Sequence, residues 1–347
     1  MRIYRSFIFL LLVVHCSSSV MFSAEAHEWQ YGKNSLRATF NGTSATVGGG
    51  ESVPAETRLD YILRLQASRE TADRGLVGAV WAIDMRAADR GFWAKDAFVY
   101  TQNNIGRIEV GWTESIAAKL SLLLPDVGGA SVNNAPFFLP DDHIGITHPA
   151  VRGNQYAWRT NVASNPEKSF QFGIGRTFVQ GRGFNNSTDL GIRYRDIGGR
   201  WKSSVSLGLS YIEKPFGLTS DSHLPPVFAD ARYQGTLGVN IQVGSIVWAA
   251  TGKIISDNGA DPTQPRSDGI QGGTGFSYDI LAWSFSLNYI FSQVGVWDAD
   301  DDYFGHTVVA SARYKIDKNF GVWGSGGTVQ GSLVEDWFFA FGLGVRF

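Results

Sequence analysis

The chain has 347 residues, 41 of them glycine, with 13% aromatic and 18% charged side chains and a formal net charge of −2. That balance excludes a basic surface for nucleic acid, and the lack of any 18-residue apolar run after the first 26 residues excludes helical membrane spans. The single cysteine, Cys16, excludes a disulfide framework and a cysteine metal site.

Residues 1–26 read as a secretory signal. Arg2 and Arg5 supply the positive start, Phe7 to Val14 the short apolar run, and Ala24-Glu25-Ala26 a small-x-small cleavage site. Cleavage would start the mature chain at His27. Cys16 is followed by serines, but His15 stands where a lipoprotein site needs a small residue. Removing Arg2, Arg5 and Glu25 from the 30 basic and 32 acidic residues leaves 28 and 31, a net charge of −3.

After the signal, sixteen strand-like segments follow, each spaced with a period of two. Weaker members lie at 34–40, 75–86 and 319–328. In Trp201 to Tyr211, Val205, Leu207, Leu209 and Tyr211 oppose Lys202, Ser204, Ser206 and Ser210. Between Arg232 and Val243, Tyr233, Leu237, Val239 and Ile241 oppose Arg232, Gln234, Thr236, Asn240 and Gln242. Leu281 to Phe291 alternates Leu281, Trp283, Phe285, Leu287, Tyr289 and Phe291 with Ala282, Ser284, Ser286 and Asn288. The last eleven residues, Trp337 to Phe347, alternate large apolar with mostly small side chains and end on an aromatic. That length suits a tilted strand crossing a bilayer. So much strand, with hydropathy averaging near zero, fits a transmembrane barrel better than a soluble sandwich.

The connections alternate in length. Short ones fall near Ser68–Asp73, Asn103–Ile105, Ser164–Glu167, Ile197–Arg200, Val243–Gly244, Asp279–Ile280 and Ile316–Asn319. Long ones fall at 41–55, 87–94, 113–153, 178–186, 213–228, 257–269, 293–303 and 329–336. Tight turns on one rim and long loops on the other are the up-and-down arrangement of a 16-stranded antiparallel transmembrane β-barrel, with both termini on the short-turn side. The third long loop, 113–153, carries Ile116, Leu120, Leu122 to Leu124 and Phe137 to Leu139. It is too apolar for disorder, so it is expected to pack into the lumen. The domain plan is therefore a signal peptide at 1–26 and one barrel at 27–347.

Ala97-Phe-Val-Tyr-Thr-Gln-Asn-Asn-Ile-Gly-Arg-Ile-Glu-Val-Gly-Trp112, the long loop that follows, and the terminal Phe347 resemble the trimeric general porins of Gram-negative bacteria, especially their alphaproteobacterial branch. The first stretch resembles the family's hairpin leading into the inward third loop, and Phe347 its C-terminal assembly signal. The Pro-Glu-Phe-Gly-Gly loop tip of enteric relatives is absent; Leu124-Pro-Asp-Val-Gly-Gly129 and Leu139-Pro-Asp-Asp142 stand as substitutes. The resemblance implies a non-enzymatic, water-filled outer-membrane channel for passive diffusion of small hydrophilic solutes and ions. It also implies a homotrimer with Leu59, Tyr61, Leu63, Leu65, Val77, Ala79 and Trp81 as candidate contact faces. The implied partners are outer-membrane lipid, lipopolysaccharide and the barrel-assembly machinery. The alternatives are a solute-specific channel, for a sugar or an anion, and a plugged structural or adhesive barrel.

In such a channel, selectivity follows from pore radius and facing rings of charge. The candidate acidic side of the constriction is Glu114, Asp126, Asp141 and Asp142 in the third loop. The candidate basic side is Arg58, Arg64, Arg107 and Arg159, with Lys202, Arg232 and Arg313 further along the wall. Strand alternation points these cations away from the apolar face, where a charge at mid-bilayer costs about 2–4 kcal/mol. Asp298, Asp300, Asp301 and Asp302 form a carboxylate cluster that could hold calcium, but Tyr303 stands where an EF-hand loop needs glycine. A solvated acidic loop is the plainer reading, and no other cofactor is expected. No serine-histidine-acid set or Walker loop is visible.

Overall fold

The computed structural model describes residues 27–50, 56–86, 92–125, 127, 152–165, 168–178, 186–213, 231–258, 267–296, 303–331 and 335–346. The expected signal, much of the long connections and Phe347 lie outside these residues. The strands are β1 (His27–Tyr31), β2 (Asn34–Gly49), β3 (Glu56–Glu70), β4 (Leu76–Arg86), β5 (Phe92–Gln102), β6 (Arg107–Glu114), β7 (Arg152–Asn165), β8 (Lys168–Phe178) and β9 (Ser187–Asp196). They continue with β10 (Trp201–Glu213), β11 (Ala231–Val243), β12 (Ile246–Asn258), β13 (Ser267–Ile280), β14 (Trp283–Val296), β15 (Tyr303–Lys315), β16 (Phe320–Gly331) and β17 (Glu335–Arg346). One short helix, α1 (Ile116–Leu120), follows β6.

From β2 to β17, every strand pairs antiparallel with its sequence neighbours. β17 returns to β2, so sixteen strands close on themselves and leave no free edge. β1 shares an edge of β2 with β17: His27 to Tyr31 pair with Ala38 to Asn34, while Arg346 pairs with Asn41. β1 therefore continues the line of β17 and brings residue 27 close to the C-terminal strand.

Among the boundaries that differ from the sequence reading, two have a clear physical reason. β2 does not stop at residue 40 but runs to Gly49. Its second half is Gly, Thr, Ser and Ala, with little apolar signal of its own. The apolar side chains come from the partner strand, where Phe339, Phe341 and Leu343 lie opposite Gly48, Thr46 and Ser44. β14 starts at Trp283, because Leu281 and Ala282 form the hairpin turn, with Leu281 at φ 53°. The expected short connections at 103–105, 197–200 and 316–319 are tight turns. In each an acidic or amide side chain caps the backbone: Asn103 Oδ1 accepts from Ile105 and Gly106, Asp196 Oδ1 from Gly198, and Asp317 Oδ1 from Asn319 and Phe320.

Burial is inverted relative to a water-soluble protein. On β14, Leu287 is 53% exposed while its neighbour Asn288 is fully buried, and Ser284, Ser286 and Ser292 are buried beside exposed Trp283, Phe285 and Tyr289. The same inversion holds on β10, with Val205, Leu207, Leu209 and Tyr211 outward against Ser206 and Ser210. An apolar outer band over a polar interior suits hydrocarbon, and closure satisfies the backbone within it. Replacing outward Leu287 with lysine should therefore cost about 2–4 kcal/mol of folding stability in lipid. Ser204→Lys, on the inward face of β10, should cost far less, as urea-dependent folding into vesicles would show.

Candidate functional site

The lumen is shaped by the segment that leaves β6. Ser115 caps α1, its Oγ accepting from the Ala118 N–H at 3.3 Å. Buried Gln155 of β7, with its amide oriented to satisfy both neighbours, donates to the Glu114 carbonyl (2.7 Å) and accepts from the Ile116 N–H (3.0 Å). The chain then follows the inner wall. Ser121 Oγ lies 3.3 Å from Thr236 Oγ1 on β11, and the Leu122 N–H donates to Ser206 on β10. Further on, the Pro125 carbonyl accepts from Asn288 (2.9 Å) and the Val127 N–H donates to Ser286 (3.3 Å), both on β14. β14 is eight strands from β6 around a sixteen-strand ring, so this short stretch reaches the opposite wall.

The wall makes room for it with glycine. Gly173, Gly191 and Gly208 stand directly opposite one another on β8, β9 and β10. A Cβ at Gly173 would lie 2.5 Å from Ile116 Cγ1, and one at Gly191 3.0 Å from both the Ile116 carbonyl and Leu120 Cδ1. A Cβ at Gly238 on β11 would lie 2.9 Å from Leu122 Cβ. These absent side chains form a track into which α1 settles, burying Ile116, Ala117 and Leu120.

An ion cluster closes the arrangement. Glu109 on β6 is 1% exposed and contacts three cations: Arg107 Nε at 2.7 Å, Arg159 Nη2 at 3.0 Å and the Lys119 ammonium from α1. Arg107 also lies over the Tyr100 ring at 3.8 Å, and Lys119 over Phe98 at 5.0 Å. Wall carboxylate and loop lysine thus fasten the loop to the barrel.

The expected basic residues fall on the inward-facing register. Arg64 pairs with Asp96 at 3.0 Å, and Arg232 with Asp257 at 2.7 Å. Arg107 and Arg159 stand opposite one another and share Glu109. Lys202 and Arg313 fall on the inward parity of β10 and β15, and Arg58 lies in β3 opposite Ala45. The expected acidic rim is corrected at Glu114, which ends β6 opposite Arg152 instead of belonging to the loop. Asp126, Asp141 and Asp142 lie outside the described residues, as do Asp298, Asp300, Asp301, Asp302 and Phe347. Among the described residues no cluster of three metal-ligating side chains occurs. The sequence reading missed Glu109 and Lys119. Their signals were the two-residue spacing of Arg107 and Glu109 and one lysine inside the otherwise apolar Ile116–Leu120.

No family model and no curated protein matches the chain. Solved structures share its fold. OmpT, an outer membrane protein of Vibrio cholerae described in trimer form, matches with a TM-score of 0.67 at 10% identity, over 90% of this chain and 99% of that one. An anion-selective porin from Comamonas acidovorans matches at 0.64 and 12% identity, over 90% and 100% of the chains. Salmonella typhi OmpF, in complex with daunomycin, matches at 0.65 and 13%, over 92% and 100%.

Proposed function

We propose that this chain is an outer-membrane porin, a water-filled channel through which small hydrophilic solutes and ions diffuse passively. The observation that carries this reading is a closed sixteen-strand barrel with hydroxyl, amide and charged side chains inside, narrowed by a segment fastened to its wall. Such a lumen works by radius and field, without chemistry on the solute. The similar fold of the Comamonas acidovorans structure, described as an anion-selective porin, supports it.

The same reading includes export through the signal at 1–26 and residence in the outer membrane among lipid and lipopolysaccharide. Assembly would proceed through the C-terminal strand ending at Phe347. It also includes a homotrimer joined through the outer face of the first strands. There, outward Trp29, Tyr31, Leu36, Val77 and Val99 line a shallow apolar depression, alongside the expected face of Val77, Ala79 and Trp81. The purified protein in a planar bilayer is expected to give large stepwise conductances. A barrel that inserts into vesicles but gives no steps would favour the plugged, adhesive alternative.

A further inference from the structure

We propose that the lumen selects anions, taking small inorganic and carboxylate anions, through a cationic arc on β6, β7, β9 and β10 beneath α1. This rests on the porin reading above and names its solute class. The arc follows from register. Gly191 touches α1 and therefore faces inward, and Arg193 and Arg195 are two and four residues further along the same face of β9. At about 3.3 Å per residue, they lie roughly 7 and 13 Å below the loop toward the short-turn rim. On β10, Ser206 meets the loop, and Lys202 is four residues further toward the same rim. Arg107, Arg159 and Lys119 complete the arc beside them.

Compensation decides its sign. Glu109 answers the upper three cations with a single carboxylate. Among the described residues, no carboxylate lies in ion-pair contact with Arg193, Arg195 or Lys202. Arg193 instead stands opposite Gln171 and Ser206, and Arg195 opposite Ser169 and Ser204. Asp189, the other inward carboxylate of β9, sits on the far side of Gly191, fully buried and held by Ser187 and Ser210. Elsewhere in the barrel two inward cations are matched, in Arg64–Asp96 and Arg232–Asp257, while Arg313 on β15 has no carboxylate in ion-pair contact among the described residues. β14 and β15 on the facing wall carry buried hydroxyls at Ser284, Ser286, Ser292, Thr307 and Ser311 and no carboxylate in either strand. Among the described residues, the unmatched arc therefore dominates the field below the loop, focused by the low-dielectric wall.

The test is the zero-current potential of the full mature protein in a planar bilayer under a potassium chloride gradient. The expected result is a chloride-over-potassium preference. R193Q/R195Q should keep single-channel steps but lower that ratio roughly fivefold, as for two unit charges removed about 8 Å from the ions' path through water at about 0.1 M salt, each acting with opposite sign on chloride and potassium. Inorganic tripolyphosphate should also block the wild-type current, a readout needing no variant. A channel that conducts but prefers potassium, an unchanged ratio in the variant, or no block by tripolyphosphate would each overturn the inference while leaving a porin. A protein that gives no steps at all would instead refute the porin reading, and the inference with it.

Discussion

An E109Q barrel is expected to lose about 3–5 kcal/mol of stability, the cost of removing one partner from a buried ion pair. Glutamine keeps the shape of Glu109 but leaves Arg107, Arg159 and Lys119 facing one another without the charge that holds them together. The cations are largely covered, with side-chain exposures of 17%, 29% and 16%, so water only partly replaces the carboxylate. K119M is expected to cost much less, because Glu109 keeps two arginines and the methionine side chain can still pack against Phe98. The two variants thus distinguish a central carboxylate from a peripheral lysine. Chemical unfolding in detergent would show the ordering, and equal losses would mean that the cluster is not organised around Glu109. At the level of the channel, E109Q should also show noisier open current, since the loop loses its electrostatic fastening to β6.

The second large effect concerns where α1 rests. The double variant A117C/G208C should form a disulfide once the Thr236 hydroxyl, 2.5 Å from the new Cβ at Gly208, turns aside, because that Cβ lies 3.4 Å from that of Ala117. No cysteine occurs among the described residues to compete with it. Adding G191F to that pair should abolish most of the cross-link. The new side chain would start 3.0 Å from the Ile116 carbonyl, a backbone atom that cannot swing aside as a flexible side chain can. Overpacking of about 1–3 kcal/mol lowers the docked population by roughly five- to 150-fold. The strand itself should survive, since its outward face is untouched. Cross-linking that proceeds equally well with and without G191F would show that α1 does not rest on these glycines.

Both effects depend on features that differ in how readable they were from the chain. The paired alternation of Leu281–Phe291 and Trp201–Tyr211 announced inward and outward faces, because side-chain direction in a strand is a local property with a period of two. The tight turns were local too: Asn103 and Asp317 carry their own hydrogen-bond acceptors. β2 was harder to read, because Gly42 to Gly49 draw their apolar cover from β17, some three hundred positions away in sequence. The charge cluster was half visible. Arg107 and Arg159 could be assigned inward from pattern alone, but nothing local says that their registers bring them to the same carboxylate.

The barrel was already written in the chain: sixteen period-two segments, the alternation of short and long connections, and the inward parity of Arg64, Arg107, Arg159 and Arg232. These follow from backbone geometry and from the cost of putting charge into hydrocarbon, and both act residue by residue. Which side chains meet inside the ring is a property of the assembled barrel. The row of Gly173, Gly191 and Gly208, the reach of Pro125 to Asn288, and the clasp of Lys119 on Glu109 depend on relative strand offsets around a closed ring. Those offsets accumulate over many pairings, so no single stretch of chain encodes them.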